Sequence, residues 1–131
     1  MYTQCIPDLK GSDAMIKLDN ERGSICISSE VITWLAGDAA TRCFGVKGMA
    51  SRVKESGLVQ LLRRESMTKG VNVIANDDGS ITIELHIVVD HGVNLAALSN
   101  SIMSEVNYKV SSATGIPVRQ VDVYIDSMIM D

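Results

Sequence analysis

Glu84, His86, Asp90 and His91 are the residues of this chain whose types and spacing most invite chemistry. Imidazoles and carboxylates hold a divalent cation when several converge and other groups orient them. Glu84 and His86 stand two apart, so on a strand they share one face. Asp90 and His91 follow at the end of the same segment. A wet sheet face followed by a loop explains these four residues with no ion, and that explanation is favoured, because a motif without its structural context is weak. No metal or other cofactor is expected.

A second candidate is Gly45-Val46-Lys47-Gly48. KH-type modules clamp nucleic-acid backbone with a Gly-x-x-Gly loop. Lys47, Arg52, Lys54, Arg63, Arg64 and Lys69 surround it, opposed only by Glu55 and Glu65. On this alternative, Gly45, Lys47, Gly48, Arg52 and Lys54 would contact phosphate. A helix stop at Gly45 and a solvated basic stretch explain the same residues. The net charge of −4 and the scarcity of aromatic residues, 4% of the chain, also oppose it.

Covalent catalysis finds less support. No Gly-x-Ser-x-Gly occurs, no cysteine stands at a recognisable spacing from a histidine, and no nucleotide-type glycine loop is present. Ser28 and Ser29 read as helix caps. Cys5, Cys26 and Cys43 are odd in number and form no Cys-x-x-Cys, which argues against a disulfide framework or a zinc site. Cys26 and Cys43 fall in apolar-periodic segments and are expected to be reduced and buried. No enzymatic activity and no small-molecule substrate are expected.

These residues must be positioned by the fold of a 131-residue chain, a length that suits one domain with one core. Hydrophobic residues make up 46% and charged residues 21%, within the globular range. The N-terminus lacks the basic and apolar regions of a signal peptide, and no apolar run reaches the roughly 18–20 residues that span a bilayer. A cytoplasmic location follows as the expectation.

Residues 1–22 read as a loosely ordered leader, with a short strand around Met15–Leu18, and residues 23–131 as the domain. Residues 23–28 alternate and form a strand. Val31, Ile32, Leu35, Ala36, Ala39 and Cys43 then recur at helical spacing until Gly45. Leu58, Val59, Leu61 and Leu62 suggest a short helix. Residues 71–75 form a strand, and Asn76-Asp77-Asp78-Gly79 turns it into a second over 80–89. In that second strand Ile81, Ile83, Leu85, Ile87 and Val89 face one way, and Thr82, Glu84, His86 and Val88 the other. Asn94 caps a helix with an apolar stripe of Leu95, Leu98, Ile102, Val106, Val110 and Ala113, ended by Gly115 and Pro117. Residues 118–125 close the domain as a strand. The order β-α-β-β-α-β predicts an α+β two-layer sandwich on a small mixed sheet.

Taken in order, several blocks resemble one known family. They are residues 23–32, Gly45-Val46-Lys47-Gly48-Met49, Lys69-Gly70-Val71-Asn72-Val73, Asp90-His91-Gly92-Val93-Asn94, Thr114-Gly115-Ile116-Pro117-Val118 and Val121-Asp122-Val123-Tyr124-Ile125. They are similar to the blocks of the alkaline shock, or envelope stress response, proteins. His91 stands where that family more usually carries an aromatic residue. The resemblance implies a bacterial cytoplasmic protein concerned with the cell envelope, without catalytic residues. It further implies assembly with itself and with protein partners, including a membrane-anchored one.

Partner contacts are expected where a sheet edge is open, since an edge strand offers unpaired backbone groups. The closing strand and residues 71–75 are the candidate edges. Val121, Val123, Ile125, Met128 and Met130 are the candidate interface residues, the two methionines supplying adaptable apolar surface.

Overall fold

The computed structural model describes residues 2–4, 15–52, 59–61 and 70–130. Its centre is strand β7, Ile81–Asp90. The alternation read from the sequence is real: Ile81, Ile83, Leu85, Ile87 and Val89 are each at most 1% exposed. Burying such a side chain stabilises the fold by roughly 1.5–3 kcal/mol. Val88 departs from the alternation. It points to the other face yet is 3% exposed, beside the buried Gly48 with which it pairs.

A strand has two hydrogen-bonding edges, and β7 uses both. Strand β8, Val118–Ile129, runs parallel to it from Ile81 to Asp90. The opposite edge is shared between two antiparallel neighbours. Strand β6, Val71–Ala75, takes Ile81–Leu85, and strand β4, Val46–Arg52, takes Ile87–Val89. Strand β5, Val59–Leu61, extends the sheet from β4.

The parallel β7–β8 pair requires a crossover, which helix α2, Leu95–Thr114, supplies. Asn94 Oδ1 accepts a hydrogen bond from the Ala97 N–H, a cap worth about 1 kcal/mol. Leu98, Ile102, Val106 and Val110 form the buried stripe. Leu95, read as part of it, is 38% exposed at the first turn. Helix α1, Ser29–Thr41, starts where Ser28 Oγ accepts from the Glu30 N–H. It buries Ile32, Ala36, Ala39 and Ala40 in the same core as α2 and the inner face of β7. Lys109 Nζ of α2 lies 2.9 Å from Asp38 Oδ2 of α1 and ties the helices together. Lys109 first, and Arg42 next, hold the Asp38 carboxyl below its ordinary value.

The α+β architecture and the two main helices agree with expectation. The strand inventory is richer. Residues 46–52 are a strand where a turn and loop were expected, because the half of β7 that β6 does not reach still needs a partner. The short helix expected at 58–62 is contradicted by β5, whose Val59 and Leu61 pair with Arg52 and Ala50; Leu58 and Leu62 lie outside the described residues. The opening strand lies in a second sheet, as the last of β1, Tyr2–Gln4, β2, Met15–Asn20, and β3, Gly23–Ser28. From residue 15 the expected leader is therefore structured: β2 pairs along the whole of β3, and Ile16 is 4% exposed in the core.

Two glycines are required by what surrounds them. Gly45 has φ +97°, and a side chain there would meet Val93 Cγ1 at 2.8 Å. Gly70 lies so close to β4 that a Cβ would stand 2.9 Å from the Ala50 carbonyl oxygen.

Cys26 corrects the sequence reading. It lies on the exposed part of β3, opposite Lys17, and is disulfide-bonded. Ile16, Leu18 and Ile27 of this sheet pack against the main core, and Cys26, one residue from Ile27, takes the opposite face; Ile25, farther along β3, is 51% exposed. Cys43 is a free, half-buried thiol, pushed up by burial and then by the charge of Glu105.

Candidate interaction surface on the open face of the sheet

The face of β7 turned away from the core carries Thr82, Glu84 and His86. The parallel register sets Gln120, Asp122 and Tyr124 of β8 beside them. The register then shifts between Ile87 and Val88, so that Asp126 of β8 has no opposite residue on β7. This bulge turns the Asp126 carboxylate toward His86, with Oδ2 3.0 Å from Nδ1. An ionised carboxylate only accepts, so the contact places the imidazole proton on Nδ1. The His86 ring also stacks on Tyr124, with centroids 4.8 Å apart and planes 11° from parallel.

Around this centre the polar groups hold one another. Asn72 Nδ2 donates to Glu84 Oε1 at 3.0 Å, and Asn76 Nδ2 donates to Thr82 Oγ1 at 3.1 Å. Gln120 Nε2 donates to both oxygens of Asp122. The face is negative. Glu84 above all, with burial and Asp122 adding to it, pushes the Tyr124 phenol above its ordinary value.

The four residues read as a possible metal set are separated by these partners. Glu84 is engaged by Asn72, His86 by Asp126, and Asp90 by Lys47 Nζ at 3.2 Å. His91 is exposed on the turn after β7. Among the described residues no three metal-binding side chains converge. A described groove of about 480 Å³ lies elsewhere, lined by Cys43, Phe44, Val93, Asn94, Ala97 and Leu98 among others.

The Gly-x-x-Gly segment does not form a clamp loop. Gly45 closes a turn, accepting from the Asp90 N–H at 2.9 Å, while Gly48 is buried within β4. Lys47 is ion-paired and Arg52 ends β4. Lys54 lies outside the described residues.

Of the expected interface residues, Val121 is 7% exposed and belongs to the core, which corrects its assignment. Its strand faces the core on that side. Val123 and Ile125 are half-buried against the same core. Met128, 37% exposed, and Met130, 72% exposed, are accessible. The expected edge itself is present: among the described residues β8 has no strand on its outer side, and neither has β6. Asp126 and Tyr124 were missed as site residues. Tyr124 is legible only once β7 and β8 are known to be parallel, and nothing local to the sequence announces the bulge.

The profile of the alkaline shock protein 23 family, described as having a cell envelope-related function, matches residues 17–130. The chain belongs to that family. It is 34% identical over 114 residues to the uncharacterized protein YloU of Bacillus subtilis (strain 168), covering 86% of this chain and 94% of that one. It is 33% identical over 115 residues to the uncharacterized protein Spy1614 of Streptococcus pyogenes serotype M6, covering 86% and 93%. The uncharacterized protein YqhY of Bacillus subtilis (strain 168) is 29% identical over 122 residues, covering 91% and 89%. No solved structure matches significantly. The matched region includes β3, α1, the β6–β7 hairpin, α2 and β8, so family membership extends to the surface described above. No helix among the described residues is long and apolar enough to cross a membrane.

Proposed function

We propose that this chain is a non-enzymatic interaction protein that gives the family's envelope-related function its physical form: a small scaffold acting through protein contacts. The observation that carries this proposal is the outer edge of β8, open among the described residues along a 12-residue strand. Unpaired backbone groups on such an edge favour the addition of another strand. The neighbouring polar side chains are already held by one another, so the face meets a partner with its geometry set. Self-association and protein partners are both expected, and a membrane-anchored partner would hold the chain at the envelope from the cytoplasmic side. Because Cys26 is disulfide-bonded in the structure, thiol trapping in intact cells tests the side: Cys26 found reduced supports the cytoplasmic placement, and Cys26 found oxidised contradicts it.

The experiment is affinity capture of the tagged full chain from its native host, with and without nuclease, followed by protein mass spectrometry. Envelope proteins that remain after nuclease treatment support the scaffold. Ribosomal or RNA-associated proteins that disappear with nuclease refute it in favour of nucleic-acid binding. Sedimentation of the purified chain tests self-association, which fails if the mass stays that of one chain at all concentrations.

A further inference from the structure

Deepening the proposed function, on which it rests, the geometry points to the outer edge of β8 as the docking site for an extended, basic segment of a partner protein, added as a further strand. Three features converge there. Among the described residues the edge is unpaired over 12 residues, enough for a strand of ordinary length. The face beside it carries Glu84 and Asp122, with the Asp126 carboxylate nearly buried and held by His86. Tyr124, 43% exposed and stacked on His86, offers an aromatic platform between Asp122 and Asp126.

Charge selects the occupant. Among the described residues the cations nearest this face lie toward its ends. Lys47 is paired with Asp90 at the C-terminal end of β7. Arg119 stands near the start of β8 and acts on Asp78 at the hairpin. Between them stand the carboxylates of Glu84 and Asp122, whose charges push the Tyr124 phenol up. A strand laid along β8 alternates its side chains, so every second one falls beside Gln120, Asp122, Tyr124 and the bulge. Lysine or arginine at two successive positions of that set meets Asp122 and the face of Tyr124, making a cross-strand ion pair and a cation–π contact. In two of its central registers a second copy of β8 fits less well. An antiparallel pair centred on Asp122 sets that residue against itself, and one centred on Tyr124 sets Asp122 against Asp126; both place like charges opposite each other.

The test uses the full chain and fluorescent peptides of about ten residues, which span the edge at roughly 3.3 Å per residue. One peptide alternates lysine with threonine, a second alternates glutamate with threonine, and a third is the lysine peptide N-methylated at alternate residues. Anisotropy is expected to show the lysine peptide binding at least about tenfold more tightly than either control, and more weakly as salt rises. Glu84→Gln with Asp122→Asn should weaken it several-fold, through loss of the cross-strand ion pair at Asp122 and of the Glu84 charge beside Tyr124. Amide shifts on binding should concentrate in residues 119–127, and circular dichroism should show the variant folded. Equal affinity for the lysine and glutamate peptides, undiminished binding of the N-methylated peptide, or shifts centred on α1 and α2 would each overturn the inference. If nuclease-resistant envelope partners are captured while any of these results holds, strand addition is wrong and the scaffold still stands.

Discussion

Leu85 and Glu84 are neighbours on β7 that face opposite ways, and replacing each with alanine separates the core from the open face. Leu85 is 0% exposed and belongs to the cluster that includes Ile32, Ile102 and Val106. Leu85→Ala removes buried methyl groups and leaves a cavity on the central strand, where neighbours on both edges limit collapse. Such substitutions cost about 3 kcal/mol, within a range of roughly 2–5. For 131 residues, an unfolding entropy of about 2.1 cal/mol/K per residue converts that loss to a fall in Tm of about 10 °C. With a urea m-value of about 1.5–2 kcal/mol/M, the midpoint should fall by about 1.5–2 M. Glu84→Ala removes one exposed hydrogen bond from Asn72, and its cost should stay below about 1 kcal/mol. The assay is urea unfolding followed by circular dichroism, with equal m-values confirming a common unfolding process. A Leu85→Ala loss below about 1 kcal/mol, or equal losses for the two variants, would refute the assignment of the inner and outer faces.

Three further outcomes are expected. Asp38 has a folded-state pKa below its unfolded value, so its stabilisation is full above the unfolded pKa and is lost as pH falls through the folded one. Asp38→Asn should therefore lower the urea midpoint at pH 7 and make little difference near pH 2; equal effects at both would show that the Lys109 contact is not the cause. Ultraviolet titration should show one tyrosine ionising above the normal range, and Glu84→Gln should bring it down, because the charge of Glu84 is the largest cause of the Tyr124 shift. The Cys43 thiol, raised by burial, should react with iodoacetamide at pH 8 several-fold more slowly than a free cysteine peptide; rates as fast as the peptide would contradict its burial.

What the sequence discloses here depends on whether a signal is local. The alternation of Ile81 to Val89 and the stripe Leu98, Ile102, Val106 and Val110 are local periodicities with one buried outcome each, and both are found. The Asn94 cap and the turn at Asn76–Gly79 are equally local. Pairing is not. That β8 lies parallel along one edge of β7 while β4 and β6 share the other depends on contacts tens of residues apart. The strand at 46–52 looked like a glycine-bounded loop because Gly48 carries no side-chain signal, although its lack of a side chain suits its burial in β4. The site divided in the same way. Glu84 and His86 were legible as face-sharing neighbours, but their partners were not, because Asn72 is reached across a hairpin and Asp126 through a bulge in a parallel register. Of the four groups that suggested a metal, Glu84, His86 and Asp90 are in three dimensions each held by a partner, and His91 lies exposed on the turn.

The most direct test of the central claim is capture of the tagged chain from its native host after nuclease treatment, set beside the Glu84→Gln, Asp122→Asn variant. An interaction protein of the envelope predicts a defined set of envelope proteins with the parent chain, depleted in the variant at equal expression. Envelope proteins absent from the nuclease-treated parent sample, with the captured set lost together with RNA, would contradict it.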